Sequence, residues 1–171
     1  DIESRKYLNI TLSAYLNDWL ENEHSHSIAY TTFRRYSSLI NNHINPKIGH
    51  IKLLELTPIH ISELLGAMRQ NGQSSRSIQQ ARALLHVCLN NASRLELIPS
   101  NPVAKVKNPP NRERAINPLS LEEVKRLLST YQDTFLGARL HIALLCGLRQ
   151  GEALGLTWKN IDFEAASMKI T

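Results

Sequence analysis

Between Thr11 and Leu95, apolar residues recur at intervals of three and four, in stretches broken by Pro, Gly and Asn. That spacing places apolar side chains on one face of a helix, so the segment must fold as amphipathic helices around a shared core. Thr11 is placed to cap a first helix through about Glu21, with Leu12, Tyr15, Leu16, Trp19 and Leu20 on one face. Ser27 opens a second through about Asn42, lined by Ala29, Phe33, Tyr36, Ile40 and Ile44, with Arg34 and Arg35 on another face. Asn45-Pro46 is expected to stop it. Thr57-Pro58, a cap followed by proline in the first turn, starts a third helix to about Gln70, before Asn71-Gly72. Ser74-Ser75 opens the longest helix, to about Leu95. Its buried stripe is Ile78, Ala81, Leu85, Cys88, Leu89 and Ala92, and Arg76, Gln79, Gln80 and Arg82 lie off it. Pro99-Ser100-Asn101-Pro102 closes this block.

From Val103 to Pro118 no helical period is visible, and Pro109-Pro110 favours an extended chain. The segment reads as a basic linker carrying Lys105, Lys107, Arg112 and Arg114. Ser120 then caps another helix with Glu122 and Glu123 in its first turn, where the helix dipole favours anions. A helix from about Thr134 to Cys146 follows. It is nearly apolar from Ile142 to Leu145 and so is expected at the centre of its domain, with Gly147 ending it. Gln150 to Leu156 suits a short helix, and Ile161-Asp162-Phe163 with Met168-Lys169-Ile170 suits the first hairpin of a sheet. The division is therefore a helical domain at 1–102, a linker at 103–118 and an incomplete second domain at 119–171. The start at Asp1 without Met and the stop at Thr171, within a strand pattern, read as the ends of a piece of a longer protein.

Charge narrows the partners. Residues 24–107 carry ten basic and three acidic groups, whereas residues 1–23 carry two and five, and residues 108–171 eight and seven. Twelve of the twenty basic residues are Arg, whose planar fork suits phosphate and guanine. A nucleic acid is the first candidate partner, and a solvated basic surface the plainer one. The longest nearly apolar run, Leu140 to Leu148, contains His141 and is too short for a membrane span. No secretory signal is visible. The His residues lack the spacing of metal ligands, with His24 and His26 expected in solvent, and Cys88 and Cys146 read as two buried free thiols.

The most informative segment runs from Leu144 to Trp158. Arg149 lies between an apolar helix and the next helix start, flanked by Gly147 and Gly151, with Glu152 placed to hold its guanidinium at i+3. A fixed Arg beside the amides of a helix start is a receptor for phosphate; an ordinary structural Arg–Glu pair is the plainer reading.

Gly147-Leu148-Arg149, Glu152, Leu156, Trp158 and Asn160-Ile161-Asp162 resemble the signature GLR-x-x-E-x-x-x-L-x-W-x-D-I-D of the tyrosine recombinases, or phage integrases. The one departure is Asn160, where acidic residues are frequent. Tyr15-Leu16-Asn17-Asp18-Trp19-Leu20, Ile48-Gly49, Leu56-Thr57, Gly72-Gln73-Ser74, Asn101-Pro102 and Leu119-Ser120-Leu121-Glu122-Glu123 extend the resemblance over nearly the whole chain.

The resemblance implies a mainly α fold. It comprises a four-helix SAM-like core-binding domain, a linker, and the start of an α+β recombinase catalytic domain with its first β-hairpin. It implies a clamp on double-stranded DNA, breakage and rejoining through a 3′-phosphotyrosyl intermediate, and no metal or other cofactor. Arg149 matches the first catalytic arginine, and Glu152 the acidic residue supporting it. In such proteins the second and fourth helices face DNA, which makes Arg34, Arg35, Ser74, Ser75, Arg76 and Arg82 candidate contacts, followed by Lys105, Lys107, Arg112 and Arg114 in the linker. The family's nucleophilic Tyr, its Lys and its His-x-x-Arg pair have no match here. Lys169 comes too early, and Tyr7, Tyr15, Tyr30, Tyr36 and Tyr131 suit core or partly buried roles. The chain is therefore expected to bind DNA as a monomer in the cytoplasm without cleaving it, while the parent acts as a tetramer on DNA. A non-catalytic DNA-binding or regulatory module and a helical protein-interaction domain are the alternatives.

Overall fold

The computed structural model describes residues 9–108, 110 and 117–170. The chain divides into two compact units, Asp1–Glu113 and Arg114–Thr171. The described residues are mainly helical, with one small two-stranded antiparallel sheet.

In the first unit, α1 (Leu12–Asp18) starts at Thr11, whose side chain accepts from the Ala14 amide at 3.3 Å. The chain then continues through a π-helical turn, Trp19–His24, past the expected end at Glu21. α2 (Tyr30–Leu39) starts two positions later than a cap at Ser27 would place it, after Ala29, which offers no side-chain cap. Ser27 instead donates its hydroxyl to the His24 carbonyl at 2.9 Å, closing the preceding turn, and Ile28 is extended. A second π turn, Ile40–Ile44, runs on into α3 (Asn45–Ile48). Pro46 does not stop the helical path, because it sits in the first turn of α3, where its missing N–H would have had no helical partner.

α4 (Pro58–Gln70) begins at Thr57 with a reciprocal cap between Thr57 and His60. α5 (Ser75–Arg94) begins at Ser74, whose hydroxyl accepts from the Ser77 amide at 3.1 Å. Each such cap is worth roughly 1 kcal/mol. The start of the chain is tied to the turn before α4 by Leu12 N–H to Ile51 O at 2.8 Å and Leu53 N–H to Ile10 O at 2.9 Å. Leu12, Leu16, Ile40, Ile44, Ile61, Ala81, Leu85 and Leu89 are fully buried in one core.

The linker expectation is corrected at its start. Pro102–Lys105 forms a 3-10 turn, and Val103 and Val106 are buried in the helical core. Asn101, itself buried, donates to the His86 carbonyl at 3.0 Å and to Asn90 Oδ1 at 2.7 Å, and accepts from the Val103 amide at 2.9 Å. This strap belongs to the helical unit because two valines have an apolar seat there, which outweighs the local absence of helical period.

The second unit holds α6 (Leu121–Tyr131), α7 (Phe135–Cys146), α8 (Gln150–Gly155), β1 (Ile161–Asp162) and β2 (Ser167–Met168). β1 and β2 pair antiparallel, Ile161 opposite Met168 and Asp162 opposite Ser167. Asp162 Oδ1 accepts from the Glu164 and Ala165 amides, shaping the turn between them. The α6–α7 turn requires glycine at 137, since a Cβ there would stand 1.8 Å from the Tyr131 carbonyl oxygen. Gly147 ends α7 with φ 69°, the left-handed conformation that only glycine adopts without strain.

Within residues 117–170 α7 is not covered on all sides. Among the described residues of the second unit only Gly137 is buried, and Leu144 and Leu145 are exposed. A helix apolar on all faces needs neighbours on all sides, and this unit offers α6, α8 and one hairpin.

The cysteine and histidine expectations change as well. Cys88 is buried, with burial first and the nearby Glu23 charge second pushing its thiol well up, whereas Cys146 is exposed. Titration with an aromatic disulfide reagent is expected to consume one thiol per folded chain and two after unfolding. Rapid reaction of both in the folded chain would contradict the placement of Cys88. His26 is exposed, but His24 is half-buried, its ring stacked on Trp19 at 4.4 Å and facing Tyr36 at 6.0 Å. Its burial lowers its pKa by disfavouring the cation.

Candidate nucleic-acid interface

The two arginines on α2 arise from its periodicity: with Phe33 and Tyr36 half-buried, Arg34 and Arg35 are left in solvent. Arg35 lies over the Tyr36 ring, 6.0 Å from its centroid, which steadies the guanidinium without neutralising it. At the start of α5, Arg76 is exposed and Ser75 half-buried. Ser74 is exposed, but its hydroxyl is engaged with the Ser77 amide and hydroxyl. Among the described residues, Arg34, Arg35 and Arg76 form no ion pair.

Arg82 is placed differently. Its Nε and Nη2 donate to the Val106 carbonyl at 3.1 and 2.7 Å, and Nη2 also donates to the Val103 carbonyl at 3.3 Å. The expectation of Arg82 as a free DNA contact is corrected: its guanidinium ties the strap to α5. Lys105 and Lys107, on either side of buried Val106, are exposed. Arg112 and Arg114 lie outside the described residues, as does Tyr7.

In the second unit Arg149 caps α8. Its amide donates to Glu152 Oε2 at 2.8 Å and its Nη1 donates to Glu152 Oε1 at 3.0 Å, so one carboxylate holds both ends of the residue. The Arg149 side chain is 88% exposed and that of Glu152 27%. Such a pair adds little stability; what it does is orient the guanidinium while leaving its other donors open to solvent. The Arg149 amide first, then its side chain and charge, hold the Glu152 carboxyl below its usual range. Glu123 is lowered in the same way by the Ser120 amide and hydroxyl.

Tyr15 is buried, its hydroxyl accepting from Asn91 Nδ2 at 3.3 Å, and Tyr36 is half-buried. Tyr30 and Tyr131 depart from expectation: they are 72% and 38% exposed. Lys169 is exposed on the hairpin and its amide donates to the Asn160 carbonyl at 2.9 Å. No group of three or more potential metal ligands occurs among the described residues, and none of their helices is long and apolar enough to cross a membrane.

Residues 11–68 match the family described as "Phage integrase, N-terminal SAM-like domain". A tyrosine recombinase XerC-like protein of Caldanaerobacter subterraneus subsp. tengcongensis is 29% identical over 171 residues, covering 96% of this chain and 44% of that protein. Both likenesses point to phage integrases and tyrosine recombinases, the first over residues 11–68 and the second over nearly the whole chain. An integrase of Saccharopolyspora erythraea is 26% identical, covering 94% of this chain and 37% of its own length. The chain thus spans less than half the length of these curated relatives. In fold it is similar to a lambda integrase solved as a dimer bound to a COC′ core site, with a TM-score of 0.79, 20% identity, and coverage of 94% of this chain and 46% of that one. An integrase-like domain from Bacillus cereus, solved in solution, is similar with a TM-score of 0.58 and 28% identity, covering 64% of this chain and 92% of that one.

One exposed cation of this chain, Arg69, was not singled out by the sequence pattern. Arg69, in the last turn of α4, lines a groove with Lys105 and Lys107. Its position in a basic segment was visible, but its neighbours come from a strap whose packing no local pattern reveals.

Proposed function

We propose that this chain is the DNA-binding part of a site-specific recombinase that breaks and rejoins duplex DNA through a 3′-phosphotyrosyl intermediate, for integration or excision of a mobile element. The helical unit, residues 1–102 with the strap that follows, grips the duplex. Residues 119–171 are the N-terminal portion of the catalytic domain, with the remaining basic linker between the two. Arg34, Arg35, Ser75 and Arg76 meet one stretch of backbone, and Lys105, Lys107, Arg112 and Arg114 continue along it. Ser74 takes part through the helix start that it caps.

The observation that carries this reading is that Arg34, Arg35 and Arg76 are exposed without described ion-pair partners, in a segment of ten basic and three acidic residues. An uncompensated field of that sign attracts a polyanion and is screened by salt.

Arg149 supplies charge to the non-bridging oxygens of the scissile phosphate, and Glu152 keeps it aimed there. An exposed guanidinium with one donor engaged among the described residues fits that role. Attack, protonation of the leaving 5′-oxygen and further charge neutralisation fall to groups with no match among residues 1–171. The 171-residue chain binds without cleaving, acts in the cytoplasm, needs no cofactor, and is monomeric, whereas the full protein assembles as a tetramer on two sites. A nicked suicide duplex tests this: the chain is expected to retard it on a native gel and leave no covalent adduct on a denaturing gel. An adduct would refute the division of labour, and no retardation at low salt would refute the DNA-binding reading.

A further inference from the structure

The flank of α4 beside the core and the strap after α5 line a groove of about 550 Å³. Ser62, Gly66 and Arg69 follow one another at intervals of four and three and so share that flank. The strap contributes Lys105 and Lys107, and Leu65 and Val106 form the floor. Arg69, Lys105 and Lys107 are exposed, and none joins an ion pair among the described residues.

Gly66 is the second observation. It lies mid-helix, no atom stands within 4 Å of where its Cβ would be, and its backbone is not left-handed. Neither packing nor conformation calls for glycine, which is among the least favourable residues inside a helix. The absent side chain leaves open the floor of a groove walled by three cations. A glycine in that setting marks the close approach of another backbone.

The position of the strap is also fixed rather than incidental. Arg82 bridges the carbonyls of Val103 and Val106, so it sets where Lys105 and Lys107 stand relative to Arg69.

We propose that this groove seats a phosphate of the duplex backbone, with Arg69, Lys105 and Lys107 as ligands, Gly66 as the clearance, and Arg82 as a positioning residue acting through the strap. The proposal rests on the DNA-binding reading above, and adds Arg69 to the interface while giving Arg82 a different role.

The test is fluorescence anisotropy of a labelled duplex with the 171-residue chain across a salt series. Arg69→Gln is expected to weaken binding by about tenfold and to lower the log–log salt slope by about one. Gly66→Leu keeps every charge and suits the helix better, so it should weaken binding by about tenfold with no fall in the thermal midpoint. Arg82→Lys keeps the charge but loses the planar fork in which Nε and Nη2 both donate to the Val106 carbonyl; it should weaken binding in the wild-type background and add nothing in a Lys105→Gln/Lys107→Gln background. If the wild-type chain binds but Arg69→Gln and Gly66→Leu keep its affinity and slope, the groove is refuted and the DNA-binding reading stands. If the wild-type chain does not bind, both fall. Additive loss from Arg82→Lys overturns the positioning role in favour of direct contact. Should Gly66→Leu lower the thermal midpoint, exposed Arg69 alone decides.

Discussion

Raising the salt from about 50 to about 200 mM is expected to weaken the binding of this chain to duplex DNA by about a thousandfold. Among the exposed cations without described ion-pair partners, Arg34, Arg35, Arg69, Arg76, Lys105 and Lys107 are the six assigned to phosphate. Each contact releases condensed counterion, so about six contacts give a log–log slope near −5. Three other cations of the helical unit make contacts within it: Lys52 pairs with Glu55 at 3.8 Å, Arg94 donates to the Asn91 side chain at 2.7 Å, and Arg82 holds the strap. A helical protein-interaction domain whose basic surface takes an acidic protein partner would not give this release of counterions from duplex DNA. Binding that is flat across this range, measured by anisotropy, would remove the phosphate footprint.

Leu85→Ala is expected to cost the helical unit about 3 kcal/mol and to lower its melting midpoint by roughly 15 °C. Leu85 lies on the stripe of α5 that faces the core and is fully buried. Truncation removes apolar contact and leaves a cavity that rigid helices close only in part. Val87, two positions on, is 48% exposed, and Val87→Ala should change stability by less than about 0.5 kcal/mol. Against a total of about 5–10 kcal/mol for a domain of this size, the first loss is large and the second is not. Thermal unfolding followed by circular dichroism separates them; equal midpoints for the two variants would mean that the α5 stripe is not the core.

The helix starts were legible because each carries its own chemistry. Thr11, Thr57, Ser74, Ser120 and Thr134 all accept from an amide in the first turn of the helix they precede. The π turns at Trp19–His24 and Ile40–Ile44 were not, because they prolong a helix without changing residue type at its end. Pro46 misled for a related reason: proline breaks a helix interior but is welcome in a first turn, and the pattern does not say which turn it occupies. The strap was hidden by distance, since Arg82 and Val106 are 24 residues apart and only the folded chain brings them together. The Arg149–Glu152 clasp was legible because it needs only one helical turn. Arg82 was misread because helical phase says which way a side chain leaves its helix and not what it meets. The exposure of α7 follows the same rule, as composition reports a demand for burial and not the presence of partners.

The central claim is that the arginine face of the helical unit is what binds duplex DNA. The most direct measurement compares the wild-type chain with the Arg34→Gln/Arg35→Gln/Arg76→Gln variant on one labelled duplex at fixed low salt, with melting midpoints recorded in parallel. The account predicts matching midpoints, an affinity lower by about a hundredfold or more, and a salt slope smaller by about three. A variant that melts with the wild type and binds with the same affinity and slope would contradict it.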